Sequence, residues 1–258
     1  PAAAVAARSL RYWRTDPRYL VQFLAVLLMP VVLVLVPALN SSRLVFTIDG
    51  HRMETGFAIG HAPAMLLFMA PSLAVFVGWA IHDDLGMDST ALWSHISAGI
   101  SGAHDRLGRV VGAALWQVPM LLAVEVLMSL WTGRWETLPA VTGACLALYG
   151  CALAWSCLTS VLLPYETVAP GDSPMRSRTS GTAFLAAIIQ MVAILVLLAV
   201  YGVVWDSQWW GWGAFGLGIV WCALTLWGGI VFGGRLLDRR GPQVLAVIHT
   251  WSGHAQPV

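Results

Sequence analysis

Apolar residues fill this chain in six long stretches, and short polar segments separate them. About 20 helical residues, rising 1.5 Å each, cross about 30 Å of hydrocarbon. Six stretches reach that length: residues 17–39, 60–81, 107–131, 138–163, 182–205 and 211–234. The pattern predicts an all-α polytopic membrane protein, a single transmembrane domain over residues 1–258. Thr15 and Asp16 offer caps for the first span, and Pro17 suits its first turn. Gly143, Ala147, Gly150 and Ala154 recur at the spacing that lets helices approach closely, inside the chain or against a second copy.

Two polar segments carry a helical period of their own. Residues 5–14 read as an amphipathic helix in the membrane plane: Arg8, Arg11 and Arg14 supply charge, while Leu10 and Trp13 sink into the headgroup boundary. An ordinary basic flank is the alternative. Residues 89–100 read as a short helix between spans two and three. Leu92, Ile96 and Ile100 recur every fourth residue with Trp93 beside them, and Thr90, Ser94, His95 and Ser97 cover the other faces. Asp88 or Ser89 is expected to cap it, Ser101 and Gly102 to end it, and Asp105 to cap the next span. A helix joined at both ends to membrane spans is either a lever for a partner or an interfacial helix without one. The segment 163–182 is Pro-, Gly- and Ser-rich and reads as a loop. Beyond Gly234, residues 244–251 fit an interfacial helix or a short strand.

Composition agrees with the spans: 58% of residues are hydrophobic and 10% charged, against about 25% charged in soluble domains. A net charge of +1 gives no reason to expect nucleic acid. Every one of the 14 basic residues is arginine. Without lysine the chain cannot build a phosphate-binding loop of the G-x-x-x-x-G-K-[ST] kind. Only Arg43, Arg52 and Arg134 fall on the side opposite the termini, so the positive-inside rule places both termini in the cytoplasm of a multi-pass inner (plasma) membrane protein. Trp131, Trp135, Trp205, Trp209, Trp210 and Trp212 mark the outer interface. Cys145, Cys151, Cys157 and Cys222 lie in apolar runs without C-x-x-C spacing and read as small core residues.

The stretch from His82 to Arg109 looks like chemistry. Its ligand-type residues, His82, Asp83, Asp84, Asp88, His95, His104 and Asp105, have no metal-site spacing. They read as charges solvated at a span end, and no metal is expected. Gly99–Ile100–Ser101–Gly102 matches a short string of intramembrane serine proteases, but Ser101 falls in the aqueous layer, so a serine hydrolase is a remote reading. Within the spans Glu125 is the single deep charge, either snorkelling toward Arg134 or Arg52 or lining a pathway. Gln117, Tyr149 and Gln190 are further pathway candidates, or glue between helices.

A basic amphipathic segment RSLRYWRTDPRYL, two spans, ALWSHISAGISGAHDRLGR, then four spans with LLPYETVAPGDSP between the fourth and fifth: this order resembles the membrane subunits of type-2 ABC exporters, actinobacterial permeases especially. The resemblance runs over nearly the whole chain. It implies that 89–100 is a coupling helix, with Thr90, Leu92, Trp93, His95, Ile96, Ser97 and Ile100 meeting a separate ATPase, and that 5–14 is the connecting helix. The chain itself would bind no cofactor; ATP and magnesium would sit on the ATPase subunits. A second permease half is implied, as the same chain, a sister chain or a fused half, and lipids surround the pair. The expected function is export of a lipophilic or amphiphilic substrate, with a proton-driven transporter using Glu125 as the alternative. In one respect the chain departs from that family. Trp205–Asp206–Ser207–Gln208–Trp209 leaves little room for re-entrant outer helices, unless Gly211, Gly213, Gly216 and Gly218 break the last span early.

Overall fold

The computed structural model describes residues 1–24, 28, 45–48, 51–54, 67, 69–169, 172 and 208–251. Helix α1 spans Ala2–Thr15, and residues 17–24 are helical again after the break at Asp16. Strands β1 (Val45–Ile48) and β2 (His51–Glu54) form an antiparallel hairpin with Val45 opposite Glu54. Then follow α2 (Met69–Trp79), α3 (Asp84–Asp88), a 3-10 turn at Ser89–Ala91, and α4 (Leu92–Ser97). Helices α5 (Gly102–Thr132), α6 (Leu138–Leu162) and α7 (Gln208–His249) complete the described chain.

The fold is predominantly helical, and three of its helices are long and apolar enough to cross a membrane: Gly102–Thr132, Trp135–Leu162 and Gly211–His249. They cover the expected spans three, four and six. Of span one only 17–24 and residue 28 are described, and of span two residues 67 and 69–81, with the 11-residue helix α2 among them; span five, 182–205, lies outside the described residues. The hairpin falls where an outer loop was expected and leaves the all-α class standing.

Small residues decide how the long helices meet. Helix α7 lies along α6, where a Cβ on Gly143 would come within 2.4 Å of the Ala214 carbonyl oxygen. One on Gly218 would come within 2.2 Å of Gly143 O, and one on Gly229 within 2.5 Å of Ala154 Cα. The Gly143–Ala154 stripe is thus an internal seam. Helix α2 reaches α6 in the same way, Gly78 facing Ala152. Helix α1 rests on Gly108 and Gly112 of α5, which face Val5 and Ser9. Consequently Trp13 is 3% exposed and packs on Tyr19 and Trp116 in the main core. It does not point away from the protein, as a residue sunk in headgroups would. Arg11 and Arg14 do face outward.

The last helix also departs from expectation. It does not break at Gly211–Gly218, and it does not end at Gly234. Gly233 and Gly234 stay helical because each lies against a neighbour, Cys157 of α6 and Ala103 of α5, that excludes a side chain. The continuation is amphipathic. Leu237, Val244 and Ile248 repeat on one face and bury against Leu85, Leu92 and Val161 in a second, smaller core. That core seats α3 and α4.

Candidate functional site

The second core ends in polar residues, and there the His82–Arg109 stretch folds back on itself. Helix α3 closes at Ser89, whose φ of 54° and ψ of −142° lie outside the helical region and turn the chain into α4. This is why the expected cap fails: Asp88 makes no capping hydrogen bond, and the expected helix 89–100 splits into a 3-10 turn and the six-residue α4, which starts from Ala91. Gly99, at φ +63°, closes α4, with Ile100 N–H donating to His95 O at 3.1 Å. Ser101, rather than Asp105, caps α5. Gly102 N–H donates to Asp238 Oδ1 at 2.6 Å, so α7 also secures the start of α5.

The charges are not solvated. Asp83, Asp84, Asp88, Asp105, Arg106 and Arg109 are each at most 5% exposed. Arg106 donates to Asp105 Oδ2 at 2.6 Å, to Asp84 Oδ1 at 3.1 Å and to Ser160 Oγ of α6 at 2.8 Å. Arg109 donates to Asp105 Oδ2 at 2.9 Å and to Asp88, and lies 3.3 Å from Asp84 Oδ2. His95 Nδ1 meets Asp105 Oδ1 at 2.6 Å, while its Nε2 meets Arg8 of α1. Arg8 is also 3.5 Å from Asp88. Three arginines thus face three aspartates, and the cluster ties α1, α3, α4, α5 and α6 together. Burial of these six clustered charges is tolerable because each has a partner of opposite sign; Asp83 stands outside the cluster. Among the described residues no three His, Cys, Asp or Glu side chains are grouped to hold a metal.

Beside this cluster His82 stacks on Trp79 at 4.1 Å and Tyr165 closes over it. Nδ1 lies 2.7 Å from the Trp79 carbonyl and Nε2 2.5 Å from Tyr165 Oη. Burial lowers its pKa to about 4, against the Trp79 hydrogen bond, so the ring is neutral. Asp83 is 1% exposed, and no side chain among the described residues hydrogen-bonds its carboxylate; the Tyr165 backbone N–H only partly eases its charge. Burial, and then the charge of Asp84, push its pKa well up.

The expected coupling residues divide. Leu92 is 1% exposed and His95 8%, so both face inward, onto the second core and onto the ion cluster. Thr90 and Ile100 are half-buried. Trp93, at 59% exposed, and Ile96, at 38%, form the open face with Ser97. A groove of about 250 Å³ runs beside Ile96 and Gly99 to Gly241 and Pro242 of α7. Of the pathway candidates, Gln117 donates to Val77 O at 3.0 Å and accepts from Tyr149 at 2.7 Å, joining α2, α5 and α6. Glu125 is 2% exposed and accepts from Thr142 at 2.6 Å; no guanidinium pairs with it among the described residues. Gln190 lies outside the described residues. Ser101 Oγ is 2.7 Å from His104 Nδ1, but this is a contact within one helix cap, and the nearby Asp105 carboxylate serves His95 and the arginines. The ion cluster itself was missed in the sequence; its signal was six aspartates and arginines within 27 positions of an otherwise apolar chain.

No family model, curated protein or solved structure matches this chain.

Proposed function

We propose that this chain is the membrane subunit of an ATP-driven exporter, and that Trp93 and Ile96 are the surface on which a separate ATPase seats. One observation carries the reading: an indole and an isoleucine stand exposed on a six-residue helix that a buried ion cluster locks to the long helices. Exposed aromatic anchors at the centre of a small patch are what a partner's pocket takes up. The cluster makes α4 a rigid handle, because His95 ties it to Asp105 of α5, and Arg106, paired with Asp105, carries the link on to Ser160 of α6. In this reading α4 faces the cytoplasm, ATP and magnesium stay on the partner, a second permease half completes the path, and the cargo is lipophilic or amphiphilic. The long apolar helices α5 and α7, with few charges, suit such cargo.

Purification of the chain with its partners tests this. A P-loop ATPase should accompany the wild type, and Trp93→Ala with Ile96→Ala should release it while the permease stays folded. A transport-competent preparation free of any ATPase overturns the reading.

A second reading has one observation of its own. Glu125 is buried with a hydroxyl partner and, among the described residues, no cation, as a proton carrier would be. On that reading Glu125→Gln abolishes transport and no ATPase is needed; in the ATP-driven exporter Glu125→Gln still transports.

A further inference from the structure

We propose that α7, where its apolar stretch ends, binds the phosphate of an anionic membrane lipid, with Arg235 and Arg239 holding it. The proposal needs α7 to cross the membrane. It stands whichever way the helix points, and whether or not an ATPase partner exists. Residues 211–234 of α7 carry no charge and rise about 36 Å, slightly more than the hydrocarbon of a bilayer. The arginines that follow therefore fall at the level of lipid phosphates and glycerols.

Two observations put both guanidiniums on the lipid side of that layer. First, they continue the open face of the helix. Trp221, Leu224, Gly228, Phe232, Arg235 and Arg239 follow one another at three- and four-residue steps, so they share one face. The large apolar side chains of that row are exposed, and so are both arginines. On the opposite face, Leu237, Val244 and Ile248 hold α7 to the second core. Second, helical side chains lean toward the helix N-terminus, which here means back over the apolar stretch. Arg235 does so: its guanidinium carbon lies 5.9 Å from the centre of the Phe232 ring. One exposed ring face offsets only part of a guanidinium's charge.

The charge there is uncompensated. Arg8, Arg18, Arg106 and Arg109 each sit in an ion pair, whereas Arg235 and Arg239 form none among the described residues. Asp238 is the one acid in α7, and its Oδ1 is turned to α5, accepting from Gly102 N–H at 2.6 Å. The buried cluster adds no net charge, since its three arginines face three aspartates. Arg235 and Arg239, one turn apart, therefore present excess positive charge and planar N–H forks that match a phosphate diester. A zwitterionic headgroup would bring its own ammonium to the same place, so the site favours a lipid of net negative charge. At Gly228 a Cβ would meet only Phe232, at 3.9 Å, so the row is indented where the lipid's acyl chain would descend along the helix.

The test is native mass spectrometry of the full chain, released from detergent micelles doped equally with phosphatidylglycerol and phosphatidylcholine of the same chain length. The wild type should retain phosphatidylglycerol in preference to phosphatidylcholine. Arg235→Gln should weaken that retention about fivefold, and Arg235→Gln with Arg239→Gln more than about tenfold. Phosphatidylcholine binding, elution volume and circular dichroism should stay unchanged. Arg11→Gln with Arg14→Gln, which removes two exposed arginines of α1, should retain phosphatidylglycerol as the wild type does. If the double variant of α7 does not fold, the single variants at 235 and 239 decide, each with a loss of about fivefold. The proposal is overturned if the two lipids are retained equally, or if the folded α7 variants retain phosphatidylglycerol as the wild type does. It is overturned as well if the α1 variant loses as much as the α7 pair, since the attraction would then belong to the whole basic surface.

Discussion

Arg109 shows what a single side chain does at the Gly102 end of the bundle. It is 5% exposed, and its guanidinium touches Asp105 one turn back on its own helix and Asp84 and Asp88 of α3. Replacing it by alanine strands three carboxylates around two remaining arginines. The expected loss is about 3–5 kcal/mol of stability, read as a lowered midpoint in thermal or denaturant unfolding in detergent. Arg109→Ala together with Asp105→Ala should cost less than the sum of the two single changes, because the pair leaves together. His82 makes a pH-dependent contribution of the other kind. Its folded pKa is about 4, against about 6.5 for a free imidazole, so the unfolded chain takes up the proton first. The stabilisation is complete above pH 6.5 and is lost as pH falls from 6.5 to 4. The difference in stability between wild type and His82→Gln should therefore shrink by about 3 kcal/mol over that window. An unchanged difference would show that the imidazole is not held neutral. Asp83 has the opposite sign. A carboxyl whose pKa is raised destabilises the fold as pH rises above its unfolded value, so Asp83→Asn should raise the unfolding midpoint at pH 7 and have no effect below pH 4.

Between elements, the close contacts separate glycines that hold the fold from glycines that do not. A Cβ on Gly102 would sit 2.1 Å from the Gly234 carbonyl oxygen, a backbone atom that cannot rotate away. Gly102→Ala must push α5 off α7 and weaken the Gly102–Asp238 bond. The expected cost is about 1–3 kcal/mol, measured by unfolding. Gly213 and Gly216 lie in α7 with nothing within 4 Å of the place a methyl group would take, so alanine there should be neutral or stabilise by about 0.5–1 kcal/mol. Equal effects at Gly102 and Gly216 would contradict the α5–α7 contact. The same elements show what could be read in the sequence. Helices α5 and α6 announce themselves by length and apolarity, which are local properties. The stripe from Gly143 to Ala154 is visible too, but only the partner helix reveals which seam it forms. The extension of α7 past Gly234 was written in the spacing of Leu237, Val244 and Ile248, yet the glycines and the charges around Arg239 read more strongly as an end. The ion cluster was hidden for a different reason. Arg106 and Asp84 are 22 positions apart, and Arg106 and Ser160 are 54 apart. A charge followed by a charge reads as a solvated loop until long-range pairing is known. Trp13 was misplaced by the same limit, since an amphipathic period gives two faces and does not say which one meets protein.

At the scale of the whole molecule, one axis organises the fold and the proposed function alike. Helix α5 has 31 residues and so runs for about 45 Å, from the ion cluster to the left-handed cap at Gly133. That is long enough for its two ends to lie on opposite sides of a hydrocarbon layer about 30 Å thick. The distribution of arginine predicts α4 on the inside and Gly133 on the outside. A lever moved by an ATPase has to be on the inside, so orientation is the premise on which the coupling role stands. Single cysteines at Ser97 and at Glu136, in a chain freed of its four native cysteines, test it directly. Both positions are exposed. In intact cells a membrane-impermeant maleimide should label the cysteine at 136 and leave the one at 97 untouched until the membrane is broken. The reverse pattern would place Trp93 and Ile96 outside the cell, beyond the reach of any cytoplasmic ATPase. It would leave the buried cluster as a structural clasp that serves some other motion of α4.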